Sequence, residues 1–276
     1  MPIITLTTDY GLKDHYIGTL KGAIYQELEH VQIVDITHNI SPFDITEAAY
    51  ILKNSYAAFP TGTVHIIDVD SELSVENKHT AFYLDDHYFV CPDNGIISLI
   101  TNDIKPKKIV EINLHKSQNI QNTTQQIFVK TACHISRGGS LDIVGNTLFE
   151  FKNLQQIQPH VNEAKNKIVG SVIYIDNYGN VISNISKKLF QEVGKGRPFE
   201  LQIRKFTFNR VYKSYNEFVN YATPKAKRQD DGRRLLLFNS ANYLEIALYK
   251  SNLTTVGGAS TLLGLEHQEP VTINFL

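Results

Sequence analysis

The sequence predicts a two-domain protein, an α/β domain with a mostly parallel sheet over residues 1–160 followed by an all-β domain over residues 168–276. Three observations predict it. At 276 residues the chain is long enough for two domains, since single cores commonly stop growing near roughly 250–300 residues. Apolar strand-like runs alternate with helical patterns through the first half, the order that gives a parallel sheet. From Ile168 the texture changes to short strands and turns with almost no helical signal, after a polar stretch, Leu154–Lys167, that carries Pro159 and reads as a linker.

Taken in order, Ile3–Leu6 reads as a buried first strand leading through Thr7–Gly22 into a helical segment at Ala23–Leu28. Val31–Ile36 is the second strand and ends in the polar loop Thr37–Pro42. Thr46–Ser55 places Ala48, Ala49, Ile51 and Leu52 at helical spacing, with Asp44 or Thr46 as its cap. Val64–Val69 is the third strand. Ala81–Leu84 and His87–Val90 flank Asp85-Asp86 as a hairpin, and Lys108–Ile112 is a further strand. A helix over Ile127–Arg137 stops on Gly138-Gly139. In the second domain strands are expected at Gly170–Ile175, Val181–Ile185, Pro198–Ile203, Leu235–Phe238, Leu244–Leu248 and Val271–Phe275. Leu189–Gln191 and Glu217–Tyr221 are short-helix candidates.

Composition removes several function classes. A formal net charge of -1 provides no field for nucleic acid or anionic lipid. The basic residues Lys225, Lys227, Arg228, Arg233 and Arg234 surround Asp230-Asp231-Gly232 and read as a solvated turn. Two cysteines, Cys91 and Cys133, are too few for a disulfide scaffold or zinc cluster and sit among apolar neighbours. No secretory signal and no run of roughly 18 apolar residues is visible, so a soluble, cytoplasmic protein is expected. His15, His38, His65, His79, His87 and His134 show no metal-ligand spacing, and no metal is expected. There is no Gly-x-Ser-x-Gly elbow and neither cysteine has an electropositive setting, so no covalent nucleophile is visible.

The candidate chemistry lies at strand ends. Asp9 follows the first strand, where open α/β sheets build ligand crevices, and either lines such a crevice or caps the following helix. Gly11, Gly18 and Gly22 lack the spacing of a phosphate-binding loop. Asp68 and Asp70 end the third strand and could be metal ligands, but no metal centre is expected there. Asp176-Asn177-Tyr178-Gly179-Asn180 and Asn239-Ser240-Ala241-Asn242-Tyr243 border strands, and each is either a turn or part of a site.

Together, Thr7-Thr8-Asp9-Tyr10-Gly11 with Lys21-Gly22, Asp35-Ile36-Thr37-His38, Pro92-Asp93-Asn94-Gly95, Asp176–Asn180 and Asn239-Ser240…Leu244-Glu245-Ile246-Ala247 resemble the S-adenosyl-L-methionine (SAM) hydroxide adenosyltransferase and halogenase family, in the same order over nearly the whole chain. The resemblance implies a β-barrel-like second domain and a homotrimer with ligand at subunit interfaces. The implied ligand is SAM or adenosine; SAM is the substrate and no cofactor is called for. The implied reaction is attack by water or halide on the ribose 5′ carbon, expelling methionine. Carried onto matching positions, Asp9 would hold the ribose hydroxyls, a task suited to a carboxylate that accepts several hydrogen bonds. Asp176 and Asn180 would reach adenine or the methionine head, and Ser240 and Glu245 would line the methionine end. Tyr10, Phe43 or Tyr178 would stack on adenine or face the sulfonium.

This chain also departs from the pattern. Hydrolase members carry Asp-Pro-Gly-Val-Gly followed by an arginine, and later Phe-His-Gly-Arg-Asp; the aspartate, arginine and histidine orient the nucleophilic water. Here Asp70 keeps the aspartate and is the catalytic candidate. Ser71-Glu72-Leu73-Ser74 replaces the turn, Asn77 falls at the arginine, and Thr123, within Asn122–Gln126, falls at the histidine. Lys78 or His79 would be the substitute cation, without arginine's bidentate fork. Halogenases place an aromatic where Asp70 stands, and a carboxylate there would repel halide. The expectation is slow hydrolysis, with a non-catalytic SAM or adenosine sensor as the alternative.

Overall fold

The computed structural model describes residues 1–101, 104–114 and 124–276. The chain divides into two compact units, Met1–Gln156 and Ile157–Leu276.

In the first unit β1 (Ile3–Thr8), β2 (Gln32–Thr37), β3 (Val64–Asp68), β4 (His79–Leu84), β5 (His87–Pro92), β6 (Lys108–Ile112) and β7 (Gly145–Thr147) form one sheet in the order β2-β1-β3-β5-β4-β6-β7. The half β2-β1-β3-β5 is parallel, and the half β4-β6-β7 is joined to it antiparallel, so the sheet is mixed. The reversal comes from the hairpin at Asp85-Asp86, both at positive φ, the backbone shape that tight hairpin turns require.

Helices cover both faces. Alternation sends Val64 and Ile66 to a core shared with α1 (Tyr16–Glu27) and α4 (Thr124–Ser136), where Leu20, Ile24, Phe128 and Cys133 pack. Ile67 and Val69 join the opposite core with Phe82, Phe89 and the apolar faces of α2 (Ile45–Lys53) and α3 (Ile96–Ile100). Asp44 caps α2 by accepting from the amides of Thr46 and Glu47. The short α5 (Leu141–Val144) precedes β7. Both thiols are buried, and burial pushes Cys91 up to about 12 and Cys133 up to about 11, which suits packing groups rather than nucleophiles.

The second unit begins inside the stretch read as linker. Its strands are β8 (His160–Val161), β9 (Lys167–Ile175), β10 (Val181–Ser186), β11 (Phe199–Ile203), β12 (Phe206–Phe208), β13 (Arg234–Phe238), β14 (Tyr243–Leu248) and β15 (Pro270–Phe275). They pair antiparallel in the order β12-β11-β15-β9-β10-β14-β13, with β8 on β9. The sheet curls around one core, and Arg234 of β13 lies over the Phe206 ring of β12 at 5.3 Å, so the two end strands approach in a barrel-like arrangement. Helix α6 (Lys187–Gly194), capped by Ser186, inserts Phe190 among Phe199, Phe238 and Phe275.

Two local readings change. Glu217–Tyr221 is a run of turns, because Asn216 and Asn220 accept i+3 amides and the Asn220 side chain takes the Ala222 amide, competing with a helix. The unexpected α7 (Ala259–Leu263) starts on Gly258, whose α-carbon lies so near Gly179 that a side chain on either would clash.

Candidate functional site

Asp9 stands just past β1, half-buried, and one carboxylate oxygen accepts the amide of Phe43 at 2.9 Å. It does not cap α1, which begins at Tyr16 with no side-chain cap. Phe43 has φ 66° and its ring is 71% exposed, so the β2–α2 loop presents an aromatic face beside the carboxylate. This loop is pinned to the β1 end: Gly11 donates to the His38 carbonyl at 2.7 Å, and Thr8 Oγ1 meets His38 Nδ1 at 2.9 Å. Asp35 then ties Lys21 at 2.6 Å to His38 at 3.1 Å. Burial alone would push the Asp35 carboxyl up, but the hydrogen bonds from Lys21 and His38 outweigh it and hold it low.

The β3 end carries Asp68 and Asp70 in different environments. Asp70 is exposed at φ 46°, and its backbone carbonyl accepts from Asn77 Nδ2 at 2.8 Å and Asn94 Nδ2 at 3.2 Å. Asn77 also donates to the Glu72 carbonyl at 3.1 Å, and Asn94 to the Val69 carbonyl at 3.1 Å. Both amides therefore staple the loop that holds Asp70 in its left-handed conformation. Lys78 is committed to Glu111 at 2.7 Å, and His79 Nε2 meets the Ser71 carbonyl at 2.9 Å. Asp68, by contrast, is fully buried. Ser71 Oγ donates to its Oδ1, and the Tyr10 phenol lies near the same carboxyl, with Gln125 near Tyr10 in turn. Burial raises the Asp68 carboxyl and Asp9 adds to this, outweighing the lowering by Ser71 and Tyr10. Burial, then the charge of Asp68, raises the Tyr10 phenol as well.

In the second unit Asp176 organises the β9–β10 turn. Its Oδ1 accepts the amides of Tyr178 and Asn180, both at 2.8 Å, and its Oδ2 accepts Asn180 Nδ2 at 2.9 Å. Gly179 takes φ 76° against Gly258. Asp176 also acts on Glu245, which is 2% exposed and accepts from the Tyr215 hydroxyl. Burial, helped by Asp176 and opposed by Tyr215, pushes the Glu245 carboxyl up to about 7. Asp176, Asn180, Tyr215 and Glu245 thus form one acidic cluster, with the 63% exposed Tyr178 beside it. Ser240 lies apart from that turn. Val181 pairs with Ile246 and Ser186 with Tyr243, so the Asn239–Asn242 turn is at the other end of β14, roughly 13 Å along the strand.

Among the described residues no group of three His, Cys, Asp or Glu has metal-site geometry, and no helix is long and apolar enough to cross a membrane.

The model for the SAM hydroxide adenosyltransferase N-terminal domain matches residues 4–145, and the one for the C-terminal domain matches residues 170–272. The chain belongs to this family. It is 28% identical to an (R)-S-adenosyl-L-methionine hydrolase of Methanocaldococcus jannaschii over 99% of this chain and 96% of that one. A fluorinase of Nocardia brasiliensis is 22% identical over 73% of this chain and 77% of its own. The fold matches the crystal structure of an uncharacterized conserved protein from Thermotoga maritima with a TM-score of 0.82, at 28% identity, over 99% of both chains.

Asn77, expected from the resemblance at the family's arginine position, is a loop staple. Thr123, expected at the histidine position, lies outside the described residues. Ser71 and Gln125 beside Asp68 and Tyr10, and Tyr215 beside Glu245, are additions that sequence reasoning did not single out as binding or catalytic groups; Tyr10 was expected only as a stacking ring and Asp68 only weighed as a metal ligand. Asp68 left a trace as a carboxylate inside the apolar run Ile66-Ile67-Asp68-Val69. Tyr215 left none, since its link to Glu245 joins elements distant in sequence.

Proposed function

We propose that this chain binds SAM and hydrolyses it to adenosine and methionine. The placement of Asp9 supports the reading: a half-buried carboxylate at a strand end, beside the exposed Phe43 ring, in a chain similar over nearly its full length to a SAM hydrolase. One Asp9 oxygen is engaged by the Phe43 amide, and a carboxylate offers about four lone-pair sites, enough to accept both ribose hydroxyls as well. The acidic cluster around Glu245 suits the ammonium of the methionine end, and Asp176 and Asn180 shape the turn at its border. Sulfonium is already a good leaving group, so the protein's task is to place water in line with the C5′–S bond and shed its hydration. Asp70 is the group proposed to orient that water. Its negative charge opposes a halide nucleophile, so water is the better partner.

Turnover is proposed to be slow, since Asn77 and Thr123 replace a cation and an imidazole, and Lys78 is already paired with Glu111. The same departures favour the second reading, a SAM or adenosine sensor. Chromatography of the protein incubated with SAM separates the two: adenosine and methionine in equal amounts support hydrolysis, binding without products supports the sensor, and neither overturns both. Asp9→Ala is expected to weaken SAM binding by about 1.5–3 kcal/mol, the loss typical of hydrogen bonds to a charged group. Calorimetry finding unchanged affinity in the folded variant would remove Asp9 from the site.

A further inference from the structure

Strand β3 ends in a carboxylate that the family's water-activating set does not use. Asp68 is fully buried, Ser71 Oγ donates to its Oδ1, and its Oδ2 has no hydrogen-bond partner among the described residues. A buried carboxylate with an unused oxygen is costly unless it does something. Ser71, and Gln125 beside Tyr10, stand at positions where this chain departs from the family pattern. Ser71 replaces the proline of Asp-Pro-Gly-Val-Gly, which has no hydroxyl. Gln125 replaces the arginine of Phe-His-Gly-Arg-Asp, so it stands near Tyr10 without adding a cation that would weaken Asp68 as a base. Ser71 is itself only half-buried and adjoins Asp70.

We propose that Asp68 is the proton acceptor for water in this chain, reached through the Ser71 hydroxyl. The inference rests on the hydrolase reading. As the water oxygen bonds to C5′, the C5′–S bond breaks and its electron pair stays on sulfur, which leaves as neutral methionine thioether. The water proton passes to Ser71 Oγ while the Ser71 proton passes to Asp68 Oδ1; the neutral Asp68 later returns a proton to solvent by the same path. Asp68 acts through Ser71 and is therefore a positioning residue. The titratable groups around it are Asp9 and Tyr10 from the end of β1 and its neighbour Asp70, with His79 of β4 at the Ser71 carbonyl; Gln125 of α4 is uncharged. Burial and Asp9 raise the carboxyl, so the rate should rise with pH as Asp68 ionises and then level off.

The test measures kcat and KM for SAM from about pH 5 to 9 in the natural protein, Asp68→Asn, Ser71→Ala and Ser71→Thr. Asp68→Asn and Ser71→Ala should lower kcat at least about tenfold with KM within about twofold, Asp68→Asn should lose the rising acid limb, and Ser71→Thr, which keeps a hydroxyl, should retain most of the rate. A folded Asp68→Asn variant with unchanged kcat and pH profile overturns the proposal. Should that variant not fold, equal rates for Ser71→Ala and Ser71→Thr overturn it. SAM binding without turnover at any pH defeats the relay and leaves the binding site standing, whereas absence of both binding and turnover defeats the hydrolase reading itself.

Discussion

An Asn77→Arg, Thr123→His variant is expected to release adenosine from SAM about 10²–10⁴-fold faster than the natural chain at nearly constant affinity, the range spanned by positioned acid–base groups. The added arginine offers a fixed fork for Asp70 or for water, and the imidazole can accept a proton near neutral pH. The arginine also removes a staple. Asn77 Nδ2 holds the carbonyls of Asp70 and Glu72, and its backbone amide donates to Ser74 Oγ at 3.0 Å. Losing the two side-chain bonds should cost about 1–3 kcal/mol and loosen Asp70. Asn77→Ala is therefore the needed control: it should slow turnover by freeing the Asp70 loop, and the double variant must exceed both it and the natural chain. A natural rate already equal to that of complete-set relatives would show that another group, with the Ser71–Asp68 pair foremost, does this work. A double variant that gains nothing while still binding SAM would mean that the impairment does not arise from these two positions.

The strand ends were legible because short apolar runs and the polar loops that end them are local signals. Ile3–Leu6 lies within an observed strand and Val31–Ile36 and Val64–Val69 each overlap one with a one-residue overrun, and Asp9 and Asp70 follow β1 and β3, which are hydrogen-bonded neighbours. The parallel half of the sheet followed from strand–helix alternation. The antiparallel half was less visible, since β7 is only three residues long and takes its pairing from β6. Within the site, the sequence identified residue types but not their partners. Asp176 was legible as either turn or site residue; its carboxylate is occupied by its own turn, and it reaches Glu245 only through its charge.

The resemblance placed Ser240 and Glu245 at the same end of a ligand, yet strand register separates the Ser240 turn from the Asp176 turn and leaves Glu245 between them on β14. That order follows from antiparallel pairing and cannot be read from motif sequence alone. Asp68 illustrates the converse. Period two puts Asp68 on the buried face of Val64 and Ile66, whereas Asp70 lies beyond the end of β3 at φ 46° and leaves that face; the neighbours Ser71, Tyr10 and Gln125 come from three separate segments.

Replacing Glu245 should alter the pH dependence of stability by about 3 kcal/mol. Burial raises this carboxyl from 4.5 to about 7, so the folded state holds a proton that the unfolded chain has released. Below pH 4.5 both states are protonated and the contribution to stability is complete; it is lost as pH rises through 7, at about 1.4 kcal/mol per pH unit between the two values. Glu245→Gln keeps the shape and an acceptor for the Tyr215 hydroxyl but cannot ionise. The natural protein should therefore lose stability relative to the variant between about pH 4.5 and about 7, with little difference in slope outside that window. The chain has no tryptophan, so hydrogen exchange at the β14 amides, corrected for intrinsic exchange, reports on this unit directly. Parallel loss of protection in both proteins would place the pH sensitivity elsewhere. The same carboxyl couples to ligand. If Glu245 receives the methionine ammonium, SAM affinity in the natural protein should weaken up to about tenfold per pH unit below 7, and this dependence should vanish in Glu245→Gln along with part of the affinity. Stability that responds to Glu245→Gln while SAM affinity keeps its pH dependence would make Glu245 a buried structural acid and move the ammonium to another partner.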